Sequence, residues 1–430
     1  PTSTSIAVTM TIDSISTELQ TQATCPNCWA SFNVEDVNWV AAHDSIIGDP
    51  RLGPDAAQRF LPTHFDLAGN ALDIRGMSCQ DIACPACHLR IPRSTLYYRP
   101  FFVSIAGTPS CGKSFFLASM SWQLRKLLPR EFLVTFSDSD GECNKILNDY
   151  EEQLFFSPEA GRLVKLAKTD VVGDWYSTVH YENQSVTYPK PFYFDAVPLE
   201  GHFREEKRKQ VSRMVCLYDN AGESFLPGSD TVNAPVTRHL GLAEAWLYCF
   251  DPTQDPRARA ALDGKSGDVQ VTEKLVTARQ DTVLNEMVNR IRRHSNLGLK
   301  EKTDKPLIVV CTKFDAWSGL LSGIDLKGPW SRTSSLAHSA LNLTYVQKVS
   351  EAVRTLFEKI CPEVVAVSRS ISSNVYFVPV SATGTAPVKD PETGKYMMRT
   401  DMLQPLWCEV PMLLALALRA PSLLVAGQVK

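Results

Sequence analysis

The sequence lacks any hydrophobic run long enough to cross a membrane as a helix. Its longest apolar stretch, VPMLLALAL at 410–418, is roughly half of what a transmembrane helix needs. An excess of one charge is also missing, because 44 Lys and Arg offset 47 Asp and Glu to a net charge of −3, without a polybasic block. These absences predict a soluble protein and give no electrostatic reason to expect a nucleic acid or an anionic membrane as partner.

A secretory signal is lacking as well. Residues 1–22, PTSTSIAVTMTIDSISTELQTQ, have neither a basic start nor a sustained apolar core, so we expect a polar, flexible tail there. The chain has 12 cysteines, of which Cys216, Cys249 and Cys311 lie within apolar runs that look like buried strands. Because buried thiols behave as small hydrophobic side chains and no export signal accompanies them, we expect no disulfides and a reducing, cytoplasmic environment.

Two compositional regimes divide the chain. Residues 23–98 hold five cysteines and few periodic segments, whereas residues 99–430 alternate strand patterns with amphipathic helix patterns. The apolar runs EAWLYCFD and PLIVVCTKFD are typical of parallel strands buried on both faces, and PFYFDAVP is expected to pair antiparallel with RMVCLYD. The sequence thus predicts an α/β fold with a doubly wound mixed sheet, preceded by a small module. Helices are predicted over 113–128, 271–296, 344–360 and within PLWCEVPMLLALALRA.

The stretch GTPSCGKS at 107–114 follows a predicted strand and begins a predicted helix. Its Gly107, Gly112, Lys113 and Ser114 match G-x-x-x-x-G-K-[ST], in which the glycines let backbone N–H groups turn towards phosphate oxygens. Lys113 would reach the terminal phosphates, the Ser114 hydroxyl would ligate Mg²⁺, and the helix would add its positive N-terminal end. Further nucleotide contacts are predicted for Ser110, Cys111 and Phe115.

Three later stretches extend this candidate site. In LYDNAGES, Asp219 ends a strand and is expected to hold Mg²⁺ through water, while the Gly222 N–H senses a γ-phosphate. In CTKFDAW, Asp315 offers two carboxylate oxygens to the N1–H and N2–H₂ donors of guanine, a pair that adenine lacks. The Lys313 stem would pack along the base. The remaining predicted base contacts are Thr312 and, in VSATG, Ser381 and Ala382.

In this order and at these strand ends, the four motifs resemble those of P-loop GTPases of the Ras-like and translation-factor class, over about residues 100–420. The resemblance implies the GTPase topology with a long switch I insertion, binding and hydrolysis of GTP with Mg²⁺, and loops that respond to the nucleotide. It implies catalytic roles for Lys113, for Glu223, where small GTPases carry a water-orienting Gln, and for a switch I threonine. The Glu223 carboxylate would sit close to the γ-phosphate charge, so we expect slow turnover without a partner. Thr169 is favoured as the threonine, with Thr178 and Thr187 as open alternatives.

The segment 23–98 contains two C-x-x-C pairs, CPNC and CPAC. Each pair can grip one Zn²⁺ with two thiolates, and two such turns complete a tetrahedron. The two pairs are 55 residues apart, so a zinc ribbon with an insertion at 43–76 is predicted. Cys79 or His88 could replace a ligand, and redox C-x-x-C chemistry is the alternative. Residues 25–98 have five Arg, no Lys and eight Asp or Glu, which favours a stabilising or protein-contacting role over nucleic-acid binding. The predicted ligands are Cys25, Cys28, Cys84 and Cys87.

A zinc ribbon joined to such a domain, together with the closing DMLQPLWCEVPMLLALAL, also resembles the "double-GTPase" group encoded in bacterial gene clusters linked to conflict with phage. This resemblance implies a cytosolic protein with protein partners and a role in antiviral defence. Three functions stay open: a GTP-hydrolysing switch or assembly factor, a GTP-binding scaffold with negligible turnover, and an ATP-dependent kinase or ATPase. The scaffold is kept open by Glu223 and Pro109, and the ATP-dependent enzyme requires TKFD and SAT to be coincidental.

Overall fold

The structure is a computed structural model. It describes residues 20–157, 159, 161–166, 176–182, 184–220, 225, 237–264, 266, 268–272, 279–321, 323–332 and 336–427. Most of the predicted tail, residues 1–19, lies outside the described residues. Within the described ranges, none of the helices has the length and apolarity that a bilayer crossing requires.

The N-terminal module consists of short strands. They are β1 (Gln22–Thr24), β2 (Ser31–Asn33), β3 (Asn38–Val40), β4 (Ile47–Asp49), β5 (Gly53–Ala57), β6 (Arg59–Phe60), β7 (Ile82–Ala83) and β8 (Arg90–Ile91). β1 pairs antiparallel with β2 and β4 with β5, and a four-stranded sheet has the order β6-β3-β7-β8. The predicted insertion at 43–76 thus contains β4, β5 and β6.

The rest of the described chain alternates strands with helices. Its strands are β9 (Arg99–Gly107), β10 (Ser137–Asp138), β11 (Leu163–Val164), β12 (Tyr176–Tyr181), β13 (Gln184–Pro189), β14 (Phe192–Ala196), β15 (Arg213–Asp219), β16 (Ala245–Phe250), β17 (Leu307–Cys311), β18 (Trp330–Arg332), β19 (Ser339–Asn342), β20 (Val375–Pro379), β21 (Val388–Lys389), β22 (Tyr396–Arg399) and β23 (Ala426–Gly427). Its helices are α1 (Lys113–Leu127), α2 (Lys145–Phe155), α3 (Arg208–Val211), α4 (His239–Leu242), α5 (Pro256–Leu262), α6 (Val269–Thr272), α7 (Gln280–Ser295), α8 (Phe314–Trp317), α9 (Leu343–Ile360), α10 (Pro362–Ile371) and α11 (Val410–Arg419).

A seven-stranded mixed sheet organises this part, with the order β10-β14-β15-β9-β16-β17-β20. The five strands from β15 to β20 in that order are parallel. The antiparallel pairing predicted for PFYFDAVP is confirmed, because β14 runs antiparallel to β15 with Phe194 opposite Val215. Every residue of β16 and β17 is buried, which explains their continuous apolar sequences.

Each of the four predicted helix patterns contains a helix, whereas α2, α5 and α10 were not predicted. In α1, Phe116, Met120 and Leu124 are fully buried and repeat at the interval of a helix face. The pattern at 344–360 corresponds to α9, the closing pattern to α11, and the pattern at 271–296 chiefly to α7. Helices pack on the sheet at several strands: α4 and α7 against β9, α9 against β20, and α11 against β16.

The N-terminal module packs directly on one face of the mixed sheet. Phe102, Met214 and Tyr218 belong to a buried cluster with module residues such as Trp29 and Phe32. Their sequence neighbours, including Val103 and Leu217, belong instead to the main core, as expected when successive strand residues point to opposite faces. The hairpin β12–β13 adds Val179 and Val186 to the module cluster. The module therefore covers the sheet along β14, β15 and β9.

Candidate functional site

The carboxyl ends of the parallel strands bring the predicted motifs to one edge of the sheet. Gly107 at the end of β9 is in register with Cys249 of β16, and Ile105 is in register with Asp219, the last residue of β15. Cys311, the last residue of β17, is in register with both Phe250 and Pro379. The loops that follow these strands are therefore neighbours, although they are far apart in sequence.

The loop 107–114 has a conformation that requires its two glycines. A Cβ added at Gly107 would lie 2.7 Å from the Cys249 carbonyl oxygen and 2.8 Å from the Cys111 Sγ, so a side chain there would collide with the neighbouring strand. Gly112 precedes α1 with φ at 90°, a left-handed conformation that favours glycine. Ser110 also has a positive φ, of 63°. The turn is therefore tight and fixed by close backbone packing.

Lys113, the first residue of α1, is buried and paired with a carboxylate. Its Nζ lies 2.8 Å from Asp219 Oδ1 and also donates to the Asn220 carbonyl. Burial alone would lower the pKa of the Lys113 ammonium, but the Asp219 carboxylate outweighs it and raises that pKa. The structure thus joins the predicted phosphate-binding lysine to the predicted Mg²⁺ residue. Ser114 and Phe115 follow in the first turn of α1 and are half-buried.

Thr312 ties the loop after β17 to the loop 107–114. Its hydroxyl donates to the Cys111 carbonyl at 2.7 Å and to the Phe250 carbonyl at 3.2 Å. The next residue, Lys313, has a φ of 55°, and its Nζ lies 2.6 Å from Asp251 Oδ2. The Lys313 Cε would be 4.0 Å from a Cβ at Gly112. The TKFD motif and the glycine loop are therefore in direct contact.

The two carboxylate oxygens of Asp315 have different surroundings. Its Oδ1 accepts from the Ser381 hydroxyl, whereas Oδ2 is buried and has no hydrogen-bond partner among the described residues. Burial raises the pKa of Asp315, although the Ser381 hydroxyl opposes the rise. Ser381 Oγ also accepts from the Gly384 N–H at 2.8 Å, and the Ala382 carbonyl accepts from Ser119 Oγ of α1 at 2.8 Å. A buried acceptor without a donor is costly, and a ligand that supplies one would relieve that cost.

A buried polar network that the sequence does not predict adjoins the glycine loop. Gln254 is bonded to the loop at both Thr108, with 3.1 Å between side-chain oxygens, and the Pro109 carbonyl, at 3.3 Å from its Nε2. Gln280 accepts from the Asp251 N–H and donates to the Asp251 carbonyl, both at 2.8 Å. Asp251 ends the apolar run EAWLYCFD, and its position directly after a predicted strand is the one sequence feature that could have indicated a functional residue. No sequence feature distinguishes Gln254 or Gln280.

Several predicted residues cannot be placed. Thr169, Gly222 and Glu223 lie outside the described residues. The two alternative threonines, Thr178 and Thr187, are opposite one another in the β12–β13 hairpin, with 3.3 Å between their hydroxyl oxygens. The predicted catalytic roles of these residues therefore stay predictions.

The four cysteines of the C-x-x-C pairs form one buried cluster. Their sulfur atoms all lie within 4.8 Å of one another, with 3.8 Å between Cys25 and Cys87 and 3.7 Å between Cys28 and Cys84. Sulfurs at the corners of a tetrahedron around zinc, at about 2.3 Å from the metal, would be about 3.8 Å apart. The spacing fits a shared metal ion, and the cysteines can hold one.

The local geometry of both knuckles also fits metal ligation. The residue after each pair, Trp29 and His88, has a positive φ, and its N–H donates to the carbonyl of the first cysteine at 3.0 and 2.9 Å. Hydrogen bonds from the other three thiols lower the pKa of Cys84, whereas burial raises the pKa of Cys25. His88 Nδ1 is bound to Asp49 at 2.8 Å, and Cys79 is outside the cluster. Neither predicted substitute replaces a ligand among the described residues.

Comparisons with known proteins add little to this geometry. No protein-family model and no curated protein matches the chain. Among solved structures, the chain is similar to that of sup35 complexed with GDP, with a TM-score of 0.23 and 13% sequence identity, over 70% of this chain and 42% of that one. The chain thus spans less than half the length of the protein it matches. A likeness at this TM-score carries no functional argument, so the function must be inferred from the residues themselves.

Proposed function

We propose that the protein binds GTP with Mg²⁺ at the carboxyl edge of its mixed sheet and hydrolyses it to GDP and phosphate, as a nucleotide-dependent switch or assembly factor. The strand order and the motifs at the strand ends support a P-loop GTPase domain over residues 99–430. In this function the domain is cytoplasmic and acts together with a protein partner. Its link to bacterial antiviral defence is supported by the sequence resemblance alone.

The observation that carries the proposal is the position of Asp315. Within the part of the chain that the structure describes, its buried Oδ2 has no hydrogen-bond partner. Oδ1 is oriented by Ser381, so the carboxylate is held in place and one oxygen is available to a ligand. Thr312, three residues before Asp315, donates to the Cys111 carbonyl, which supports a position of this carboxylate near the predicted phosphate-binding loop. Guanine has two adjacent donors, N1–H and N2–H₂, that can satisfy such a carboxylate. Adenine has no such pair and would leave it unpaired, which is heavily penalised.

The residues at the phosphate end fit Mg²⁺ and a triphosphate. The Ser114 hydroxyl and the Asp219 carboxylate are oxygen donors, the type that Mg²⁺ prefers. When bound, Mg²⁺ supplies positive charge that neutralises the β- and γ-phosphate oxygens. Lys113 is already charged and buried beside Asp219, so its ammonium is positioned to bind phosphate oxygens as they enter. The proposal assigns Zn²⁺ to the separate cluster of Cys25, Cys28, Cys84 and Cys87.

The test is competition between nucleotides for the wild type and for Asp315→Asn. Wild type should bind fluorescent GDP with Mg²⁺, displaced by GTP but not by ATP. Asp315→Asn should bind GTP at least about tenfold more weakly, which corresponds to the loss of one charge-assisted hydrogen bond. The variant should bind xanthosine triphosphate more tightly than the wild type does, because the xanthine carbonyl accepts a hydrogen bond from the Asn amide. Asp325→Asn is the matched control, since Asp325 is exposed and paired only with exposed Lys327 in the described structure.

Two further measurements separate the possible outcomes. Lys113→Ala should abolish nucleotide retention, and full binding by that variant would place the phosphate site elsewhere. Single-turnover phosphate release should show hydrolysis in the wild type. Binding without release, even with a candidate partner, would favour the scaffold. Equal affinity for ATP and GTP would overturn the proposal.

A further inference from the structure

Tyr218 connects the first cysteine knuckle to the end of β15. Its side chain is fully buried, and its hydroxyl donates to the Pro26 carbonyl at 2.5 Å. The same hydroxyl accepts from Trp29 Nε1 at 3.0 Å. Pro26 lies between the two cysteines of the knuckle, and Trp29 follows directly after Cys28. The Tyr218 hydroxyl therefore binds the knuckle turn at both of its ends.

The conformation of Trp29 depends on that turn. Its φ is 61°, and its N–H donates to the Cys25 carbonyl at 3.0 Å, so closure of the turn sets the direction of the indole. A metal ion bound by Cys25 and Cys28 would hold the turn closed. Loss of the metal would release the geometry that presents both Pro26 and Trp29 to Tyr218.

On its other side, Tyr218 is connected to the phosphate lysine through His239 and Asn220. The Tyr218 and His239 rings are stacked, with 4.4 Å between centroids and 4° between planes. His239 Nε2 lies 3.1 Å from Asn220 Oδ1, and the Asn220 carbonyl accepts from Lys113 Nζ. Asn220 Nδ2 donates to the Ile105 carbonyl at 2.9 Å. Asn220 is thus held on β9 while it contacts Lys113.

The hydrogen bonds of His239, which links Tyr218 to Asn220, have defined directions. Because Asn220 Oδ1 can only accept, His239 Nε2 donates to it. His239 Nδ1 then accepts from the Ser104 hydroxyl, at 2.6 Å. His239, Asn220 and Ser104 are fully buried, so water cannot readily replace a lost partner, and a displacement of Tyr218 must be absorbed by these side chains.

We propose that Tyr218 is a positioning residue through which metal binding at the cysteine cluster strengthens nucleotide binding at the edge of the sheet. The proposal rests on the proposed function. Metal binding closes the first knuckle, the knuckle fixes Tyr218, and Tyr218 fixes the adjacent Asp219 and Asn220, which contact Lys113. Coupling between two sites is reciprocal, and typical values correspond to about 5- to 150-fold in affinity. Nucleotide should therefore also retain the metal.

The chain offers a matched control in Tyr193. The Tyr193 hydroxyl also bonds the first knuckle, donating to Asn27 Oδ1 at 3.1 Å, and the residue is equally buried. Tyr193 lies on β14, whereas Tyr218 lies on β15 directly before Asp219. Tyr218→Phe and Tyr193→Phe each remove one buried hydroxyl from the contact between module and sheet, so they separate coupling from general stabilisation.

The experiment measures linkage in the folded, zinc-loaded protein. Zinc release to a chromogenic chelator is timed with and without GDP and Mg²⁺, and the GDP dissociation constant is measured before and after zinc removal. In the wild type and in Tyr193→Phe, zinc removal should weaken GDP binding at least about fivefold, and GDP should slow zinc release. In Tyr218→Phe, GDP should still bind, but the rate of zinc release should be nearly the same with and without GDP. The GDP dissociation constant should likewise be nearly the same before and after zinc removal.

The outcomes distinguish this proposal from the proposed function. A wild type that binds GDP with zinc-independent affinity and nucleotide-independent zinc release would overturn the coupling alone. Ratios in Tyr218→Phe equal to those of the wild type, or equal losses in both tyrosine variants, would remove Tyr218 from its positioning role. A wild type that binds no guanine nucleotide would overturn the proposed function, and the coupling with it. If removal of zinc unfolds the chain, the release rates from folded protein decide the question.

Discussion

The ion pair between Lys313 and Asp251 allows a quantitative test of what stabilises the loop after β17, the proposed base-binding loop. Asp251 is fully buried, Lys313 retains 15% exposure of its side chain, and the Nζ–Oδ2 distance is 2.6 Å. Asp251→Asn removes one charge but keeps the acceptor Oδ1, which binds the Thr253 N–H at 2.9 Å and its hydroxyl at 2.7 Å. Removal of one partner from a buried pair costs about 3–5 kcal/mol. Because Lys313 can still reach water, we expect the lower end, about 3 kcal/mol.

Urea unfolding of four proteins would measure this coupling: wild type, Asp251→Asn, Lys313→Met and the double variant. The double variant should be less destabilised than the sum of the single variants, since Met keeps the stem and no charge is left unpaired. Asp255→Asn is the control, because Asp255 also caps a helix but its partner Arg257 is half exposed; we expect less than about 1 kcal/mol there. A cost for Asp251→Asn no larger than the control's would refute the reasoning.

Two other predictions concern the same loops. Thr312→Val removes the hydroxyl that binds the Cys111 and Phe250 carbonyls. Because a buried carbonyl left unsatisfied costs about 1–3 kcal/mol, chemical denaturation should show a free energy of unfolding lower by that amount. The affinities for GTP and for xanthosine triphosphate should fall by the same factor. A changed base preference would contradict that interpretation. Burial raises the pKa of Asp315, whereas the guanine donors favour its ionised form, so GTP binding should release a proton from this group. The affinity for GTP should therefore increase as the pH rises towards the raised pKa of Asp315 in the free protein. Titrations at several pH values should show this increase in the wild type, and a similar increase in Asp315→Asn would assign it to another group.

Local sequence patterns predicted the elements that position the site. The glycine loop between β9 and α1, the apolar runs of β16 and β17, and the antiparallel β14 are all present, because each depends on interactions within a few residues or on burial of a whole strand. The cysteine cluster was predictable for a similar reason: two short motifs have one simple way to share a metal ion. The roles of Asp315 and Lys113 in binding a nucleotide stay predictions, although the structure brings their loops together.

The contacts missed by the sequence analysis join segments that are distant along the chain. Gln254 and Gln280 are ordinary polar residues in sequence. Only the packing of the short 3-10 helix Pro252–Gln254 and of α7 brings them to the glycine loop. The docking of the module on the sheet was equally hidden. The run RMVCLYD indicates a buried strand, but nothing in it says that Met214 and Tyr218 face a second module rather than a helix.

The docking of the module on β14 and β15 has a consequence for synthesis on the ribosome. Residues 20–98 emerge before Tyr193, Met214 and Tyr218, which belong to the same buried cluster as the module's apolar side chains in the finished protein. At typical elongation rates of 5–20 residues per second, that cover arrives roughly 10 s later. During this interval the nascent module has all four thiols of the cysteine cluster but still exposes the apolar surface that will join the sheet. Metal capture can therefore precede completion of the sheet, and the surface left uncovered is one that a chaperone would recognise.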